Sequence, residues 1–295
     1  MFALRRVLLP RPGRRIMIPL PKPTKPINAT LGRDAPGERP KDAPAPPGSV
    51  PNDFGNFNKV ASSAAAERNK EPIAAVLTRY LGEEKSGVIL EVACGTGQHA
   101  AHCAPLLPNL WWQPTDLGTD AFDAVDHHTR GIKNVSHAFE MDVADDWYMP
   151  CTEMNMRHSS LAPTETIEIE GSNNFMLVKD GTFAAVLAVN LTHISPYAAT
   201  KGLVAGAGDA LRVGGKLFIY GPFKRNGEHT SEGNATFDAS LRSQNAEWGY
   251  RDIEAVEQLG RDAGLTPTET VEMPANNFML VMTKEKVTPT SYDWD

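Results

Sequence analysis

The 295-residue chain predicts a doubly wound α/β fold, and three observations carry that prediction. Short apolar runs rich in β-branched residues alternate five times with helix-compatible runs. The first apolar run, Val88-Ile-Leu-Glu-Val92, ends in a glycine turn, Gly95-Thr-Gly97, that opens the next helix. The chain closes on two strand-like runs joined by a short loop. That pair must be antiparallel, whereas strands separated by helical crossovers are parallel. A Rossmann-like, seven-stranded sheet with helices on both faces and an antiparallel last strand follows.

The elements come in this order. Residues 61–81 read as a helix, with Ser62 or Ser63 as cap and Ile73, Val76, Leu77 and Tyr80 as an apolar stripe; Pro72 predicts a kink or two short helices. The first strand and its glycine turn come next, and a helix follows from His99 to Leu107. Glycines at such a turn let the backbone approach a ligand, and free N–H groups there favour polar or anionic atoms. Glu91, at the strand's end, is placed to accept hydrogen bonds from a ribose. The second strand, from Asn109, ends at Asp116, 19 residues after Gly97. An acid at that interval and position suits the ribose hydroxyls of a nucleoside cofactor.

A helix over 118–130 leads to a third strand, Val135 to Phe139, and then to Glu140-Met-Asp142-Val143, where an acid can accept an adenine amine. Phe183 to Val189 is apolar throughout and reads as a central strand. It ends at Asn190-Leu-Thr-His193-Ile-Ser-Pro196. The helix from Tyr197 to Leu211 contains Gly202, Gly206 and Gly208, which predicts close packing on the sheet. Gly214-Gly215 turns into a fifth strand, Lys216 to Tyr220, followed by a polar loop to Ser231 and helical segments ending at Ala263, with Gly264 as stop. Leu265 to Val271 and Phe278 to Met282 are the closing strands. A doubly wound sheet with this closing pair is the arrangement of class I methyltransferases; plain dinucleotide folds lack it.

Composition bounds the rest. The chain is 41% hydrophobic with a net charge of −7, and no apolar run reaches membrane-spanning length. Residues 1–33 hold eight Arg and Lys and no acid, which leaves −15 on the remainder. That balance argues against a broad nucleic-acid surface and gives no reason to expect a membrane partner. Cys94, Cys103 and Cys151 have no paired spacing, so neither disulfides nor a metal site is expected. The basic, Pro-rich segment 1–51 reads as a disordered extension, 52–285 as the domain, and 286–295 as a tail. A cytoplasmic location is expected. The Arg-rich, acid-poor start also has the composition of a mitochondrial or plastid transit peptide, although its prolines would break the usual helix. The sequons at Asn28, Asn134, Asn190 and Asn234 read as chance occurrences.

The stretch 147–181, between the third and fourth strands, is longer than such connections normally are. Within it, Pro163 to Val178 nearly repeats Pro267 to Val281 with one extra residue. The same strand–turn–strand chemistry predicts an additional hairpin at the sheet's edge.

Seven segments then carry a resemblance: Glu67-Arg-Asn-Lys-Glu-Pro-Ile73, Glu91-Val-Ala-Cys-Gly-Thr-Gly-Gln-His99, Asn190 to Pro196, Gly221 to Thr230, Asn234 to Arg242, Trp248 to Asp252 and Glu272-Met-Pro-Ala-Asn-Asn277. Together, over about 52–284 apart from the insertion, they resemble the methyltransferase-like protein 26 family. Three positions depart from its pattern: Ala184 where Asp is expected, Tyr197 where Trp is usual, and Cys94 where Ser is common.

The resemblance implies S-adenosylmethionine as cofactor and an unidentified small-molecule acceptor. Ala93, Gly95 and Gly97 would approach the methionine end, Asp116 the ribose, and Asp142 with Val143 the adenine. Asn190 and His193 would stand on the acceptor side, with His193 as the one base there; the plain alternative is a histidine satisfied in a packed loop. Tyr220, Lys224, His229 and Arg251 border the same end of the sheet and suit an acidic or polar substrate, the plain alternative being loop ordering by hydrogen bonds; Arg68 and Asn69, in a charge run that otherwise reads as a solvated face, join them as candidate substrate residues. Two other readings compete. Gly95-Thr-Gly97-Gln-His-Ala100 also satisfies the fingerprint of an NAD-dependent oxidoreductase. A non-catalytic cofactor-binding module on the same fold is the other, because fold does not establish activity.

Overall fold

The protein was analysed as a computed structural model, which describes residues 61–150, 166–167, 175–177 and 181–286. The expected basic extension, Cys151, most of the insertion and nearly all of the tail lie outside the described residues.

Helix α1 (Ala64–Leu81) precedes strand β1 (Val88–Val92), helix α2 (Gln98–Cys103), strand β2 (Trp111–Asp116), helix α3 (Phe122–His128) and strand β3 (Phe139–Glu140). Strands β4 (Tyr148–Pro150), β5 (Thr166–Ile167) and β6 (Phe175–Leu177) form a small sheet of their own. Then come β7 (Phe183–Val189), α4 (Tyr197–Ala210), β8 (Leu211–Gly221), β9 (Phe223–Arg225), β10 (Glu228–His229), α5 (Glu232–Gln244), β11 (Arg251–Asp252), α6 (Ile253–Asp262), β12 (Leu265–Met273) and β13 (Asn277–Lys284).

The main sheet has seven strands in the order β12-β13-β8-β7-β1-β2-β3. β3, β2, β1, β7 and β8 pair in parallel, and β13 pairs antiparallel with both β8 and β12. This is the predicted doubly wound sheet. Its strands alternate between two cores. Val88, Leu90 and Val92 of β1 join the layer holding Leu203, Val204 and Ala207 of α4 and Val256 of α6. Ile89 joins Ile73 and Leu77 of α1 and Ala100 of α2 on the other face.

Several elements differ from expectation. α1 is one continuous helix through Pro72, capped by Ser63, whose side chain accepts from the Ala66 N–H at 3.3 Å. Ile73, Leu77 and Leu81 are fully buried after the proline. Each such side chain contributes about 1.5–3 kcal/mol, enough to offset the lost hydrogen bond. The third strand begins four residues late: Val135 makes only an isolated bridge with Trp112, and the paired residues are Phe139 and Glu140. The Gly214-Gly215 turn lies inside β8, within an irregular stretch where the pairing with β7 jumps from Leu211 to Lys216. The polar loop after Gly221 contains the β9–β10 hairpin, turned on Asn226 and Gly227, both at positive φ. Asn-Gly is the strongest short hairpin signal in a sequence, so this one was readable. In the insertion, β5 pairs antiparallel with β6 and β6 with β4, in a sheet separate from the main one rather than at its edge; the connection between β5 and β6 lies outside the described residues.

α4 sits close to the chain beneath it. A Cβ at Gly202 would overlap the Val143 carbonyl oxygen, and one at Gly206 would overlap the Trp147 ring. Trp147, expected to begin the insertion, is therefore a core residue, buried against α4. The Val143 contact is backbone against backbone and cannot be relieved by a rotamer change. Gly202→Ala is expected to destabilise the domain by about 1–3 kcal/mol, measured as a lowered midpoint in thermal or urea unfolding.

Candidate functional site

In an open α/β sheet, ligands bind outside the carboxyl ends of the strands, where the strand order reverses. Here that point lies between β1 and β7. The two loops that diverge there are 93–97 and 190–196, the stretches singled out by sequence.

The first loop is bent by three left-handed residues, Ala93 (φ 53°), Gly95 (φ 55°) and Gly97 (φ 77°). No atom lies within 4 Å of where a Gly95 Cβ would project, so this side of the turn is open. Asp116 ends β2 beside it. One carboxylate oxygen accepts the Gly95 N–H at 2.8 Å and the other accepts the Leu117 N–H at 2.8 Å. A carboxylate has about four lone-pair sites, so two remain for a diol. β3 is tied to the same corner, because the Met141 N–H donates to the Asp116 carbonyl at 2.8 Å. Asp142 follows, exposed, with one oxygen accepting the Ala144 N–H at 2.8 Å. Val143 beside it is buried under Gly202. Leu117 was missed by sequence reasoning. It is an apolar residue directly after the acid, yet it is 64% exposed and offers a flat apolar contact at this corner.

Glu91 departs from expectation. Its carboxylate is 1% exposed and accepts the Trp112 indole N–H at 2.7 Å, beneath α1 and α2 rather than in the cleft. His99 Nδ1 stands 3.6 Å from its other oxygen. His99 Nε2 meets Asn69 Oδ1 at 2.8 Å, and the Asn69 side chain also hydrogen-bonds the Tyr220 hydroxyl. A ribose cannot reach Glu91. The strand's alternation turns it to the helix-covered face, and its role is to hold β1, β2, α2 and α1 together.

Arg68, Asn69 and Tyr220 are brought together by this packing. Burial pushes the Tyr220 hydroxyl up, opposed by the Asn69 hydrogen bond and the nearby Arg68 charge. Tyr220 is therefore a protonated donor at neutral pH. The N-terminal turn of α1 is fixed to the glycine turn by Gln98, which accepts the Ser63 N–H at 2.6 Å and donates to Glu67 at 2.5 Å.

On the acceptor side, Asn190 adopts φ 56° directly after β7, and its N–H donates to the Tyr220 carbonyl at 2.9 Å. Asn190 and His193 converge on Gly221: a methyl there would stand 3.4 Å from His193 Nδ1 and 3.9 Å from Asn190 Oδ1. His193 is 5% exposed, packs edge-on against Phe237 and Tyr250, and its Nδ1 has no hydrogen-bond partner. Arg251 reaches the same loop, donating from Nη2 to the Ser195 carbonyl at 2.6 Å. Lys224 lies 3.7 Å from Asp238. Asp238 is a hub that sequence reasoning missed. It accepts the Tyr250 N–H at 2.7 Å, His229 Nε2 at 2.9 Å and Arg242 Nε at 3.3 Å. Burial would raise its carboxyl, but these donors hold it below the usual range.

Among the described residues, no group of three or more His, Cys, Asp or Glu side chains could hold a metal ion. No helix among them is long and apolar enough to cross a membrane. Cys94 and Cys103 are buried, and burial pushes both thiols up, so neither is a thiolate nucleophile. Asn134 and Asn234 spend their amides on internal carbonyls.

Burial, reinforced by the Arg251 charge, lowers the His193 imidazole from 6.5 to about 4. The unfolded chain takes up this proton as pH falls below 6.5; the folded chain does so only near 4. The stability tied to this residue is therefore full above the unfolded value and is lost as pH falls between the two, by about 3 kcal/mol in total. His193→Gln is expected to remove that slope, read from urea unfolding in a pH series from neutral to acid.

Solved structures with this fold are numerous, and three illustrate the likeness. An O-methyltransferase family protein from Burkholderia thailandensis superposes with a TM-score of 0.55 at 18% identity, over 76% of this chain and 58% of that one. Human N-acetylserotonin methyltransferase, solved with S-adenosylmethionine, gives 0.54 at 12% over 75% and 53%. An O-methyltransferase family 2 protein from Planctomyces limnophilus, solved with apigenin, gives 0.54 at 17% over 75% and 58%. The chain spans little more than half the length of these proteins, and what they share with it is the class I methyltransferase fold. A family model matches residues 60–284, the whole of the main sheet and the site at its rim, and the chain thus belongs to the family described as protein of unknown function DUF938.

Proposed function

We propose that this protein is an S-adenosylmethionine-dependent methyltransferase acting on a small-molecule acceptor, in the manner the resemblance to methyltransferase-like protein 26 implies. The observation that carries the reading is the corner made by Gly95, Asp116 and Leu117. An open glycine turn, a carboxylate with unused lone pairs and an exposed apolar side chain meet at the sheet's switch point. That set fits a nucleoside bearing a ribose diol. Asp142, with one oxygen free of the Ala144 contact, suits an exocyclic amine. Ala93, Gly95 and Gly97 keep side chains away from the path toward β7. The domain in this reading is the matched region, with the basic arm an appendage outside it.

S-adenosylmethionine supplies an electrophilic methyl group when bound. The chain's part is to position the acceptor and exclude water. Tyr220 would donate a hydrogen bond, with Arg68 and Asn69 orienting it. Asn190 would fix the acceptor from the β7 loop. His193 is neutral at pH 7 with an unpartnered Nδ1 that would donate or accept a hydrogen bond according to its tautomer, but its low affinity for protons suits it poorly to removing one from a weakly acidic group. Lys224 and Arg251 would attract an acidic or polar substrate.

Isothermal titration separates the readings. S-adenosylmethionine or its product S-adenosylhomocysteine is expected to bind, and NAD is not. Asp116→Ala is expected to weaken that binding by about ten- to a hundred-fold, the loss of one or two charged hydrogen bonds, with little change in unfolding midpoint. Heat with NAD alone would establish the oxidoreductase reading instead. Cofactor binding without turnover across a broad metabolite panel would favour the non-catalytic module.

A further inference from the structure

Charged side chains gather at both ends of the sheet's rim. Asp116, Glu140 and Asp142 cluster where β2 and β3 end. Beyond β7 and β8, four basic side chains gather among the acids of the same segment: Lys224 on β9, His229 on β10, Arg242 on α5 and Arg251 on β11. All four surround a single buried carboxylate, Asp238, and three of them lie within 4 Å of it.

Arg251 is the member least compensated. It is 9% exposed. Its Nη2 makes both of its hydrogen bonds, to the Ser195 and Glu247 carbonyls at 2.6 and 3.2 Å, and its buried Nε has no partner. Among the described residues, no carboxylate stands within ion-pair distance of it. A buried guanidinium is normally paired, because its desolvation is otherwise uncompensated. Two neighbours suggest what completes the site. The Tyr197 ring, 37% exposed, lies 5.3 Å from the guanidinium carbon, and Ile194 in the adjoining loop is 44% exposed. His193, also buried with an unpartnered nitrogen, is the residue between that loop and β7.

We infer that the acceptor is an anion: a carboxylate or phosphate group received by the uncommitted donors of Arg251, with a flat apolar body lying against Tyr197 and Ile194. The inference rests on the acceptor side assigned above. With both Nη2 hydrogens spent on carbonyls, either oxyacid would be met by single charge-assisted contacts from the remaining donors rather than by a paired fork.

The test uses the full chain saturated with S-adenosylhomocysteine, with the ligand-free chain titrated in parallel, and fluorine NMR of three matched probes: 4-fluorobenzoate, 4-fluorophenyl phosphate and 4-fluorobenzamide. At least one anion is expected to bind about ten-fold or more tightly than the neutral amide, the effect of one charge-assisted contact. The stronger anion identifies the oxyacid. Arg251→Met is expected to abolish the preference, and Arg251→Lys to keep part of it. Equal affinities, a preference for the amide, or no detectable anion binding would overturn the inference on the wild-type protein alone. A folded Arg251→Met variant that keeps the preference would overturn it as well. Anion preference without S-adenosylhomocysteine binding would leave the anion site standing and remove the methyltransferase reading.

Discussion

The buried carboxylate of Glu91 constrains the whole corner of the molecule that matters. It lies inside the protein with one oxygen hydrogen-bonded by the Trp112 indole and the other without a hydrogen-bond partner, so the few polar groups around it are tightly constrained. Trp112 reaches it from β2, His99 approaches from α2, and His99 in turn engages Asn69 on α1. Asn69 then meets Tyr220 on β8. One polar chain thus links four elements around the strand that delivers the glycine turn. Apolar packing alone would let α1 slide on the sheet; directional contacts fix where its first turn stands over the cleft. Arg68 and Asn69 owe their place to this chain.

The two halves of the rim do different physical work. On one half, backbone geometry dominates: left-handed residues open a turn and a carboxylate is held against it. On the other, burial dominates. His193 and Arg251 are both taken out of water, and each feels the other, since the Arg251 charge helps keep the imidazole neutral. A histidine in that setting stays neutral well into acid pH. The Asp238 hub explains how several cations can be held close together: its lowered carboxyl stays ionised and partly neutralises them.

Much of the framework was legible before any coordinates. The apolar run 183–189 is β7 to the residue, and the glycine turn, Asp116 at the end of β2 and the closing antiparallel pair all stand where the spacing put them. The failures have physical causes. Pro72 did not break α1, because the buried stripe on both sides of it outweighs the missing hydrogen bond. The β9–β10 hairpin was read as a loop because it is only a few residues long, although its Asn-Gly turn marked it. The position of Glu91 at the end of β1 is legible in the sequence, but which helices cover its face is not, and they bury it away from the cleft.

What the sequence determined by itself is the order and type of the main elements and the positions of the turn residues, since these depend on local periodicity and backbone preference. Only the tertiary structure decided which polar groups are buried. Glu91 is covered by helices that precede and follow it in the chain, His193 by Phe237 and Tyr250 more than forty residues downstream, and Leu117 by nothing. Protonation state, pairing and exposure are set by neighbours distant in sequence, and so the chemistry of the rim becomes readable only after the chain has closed around it.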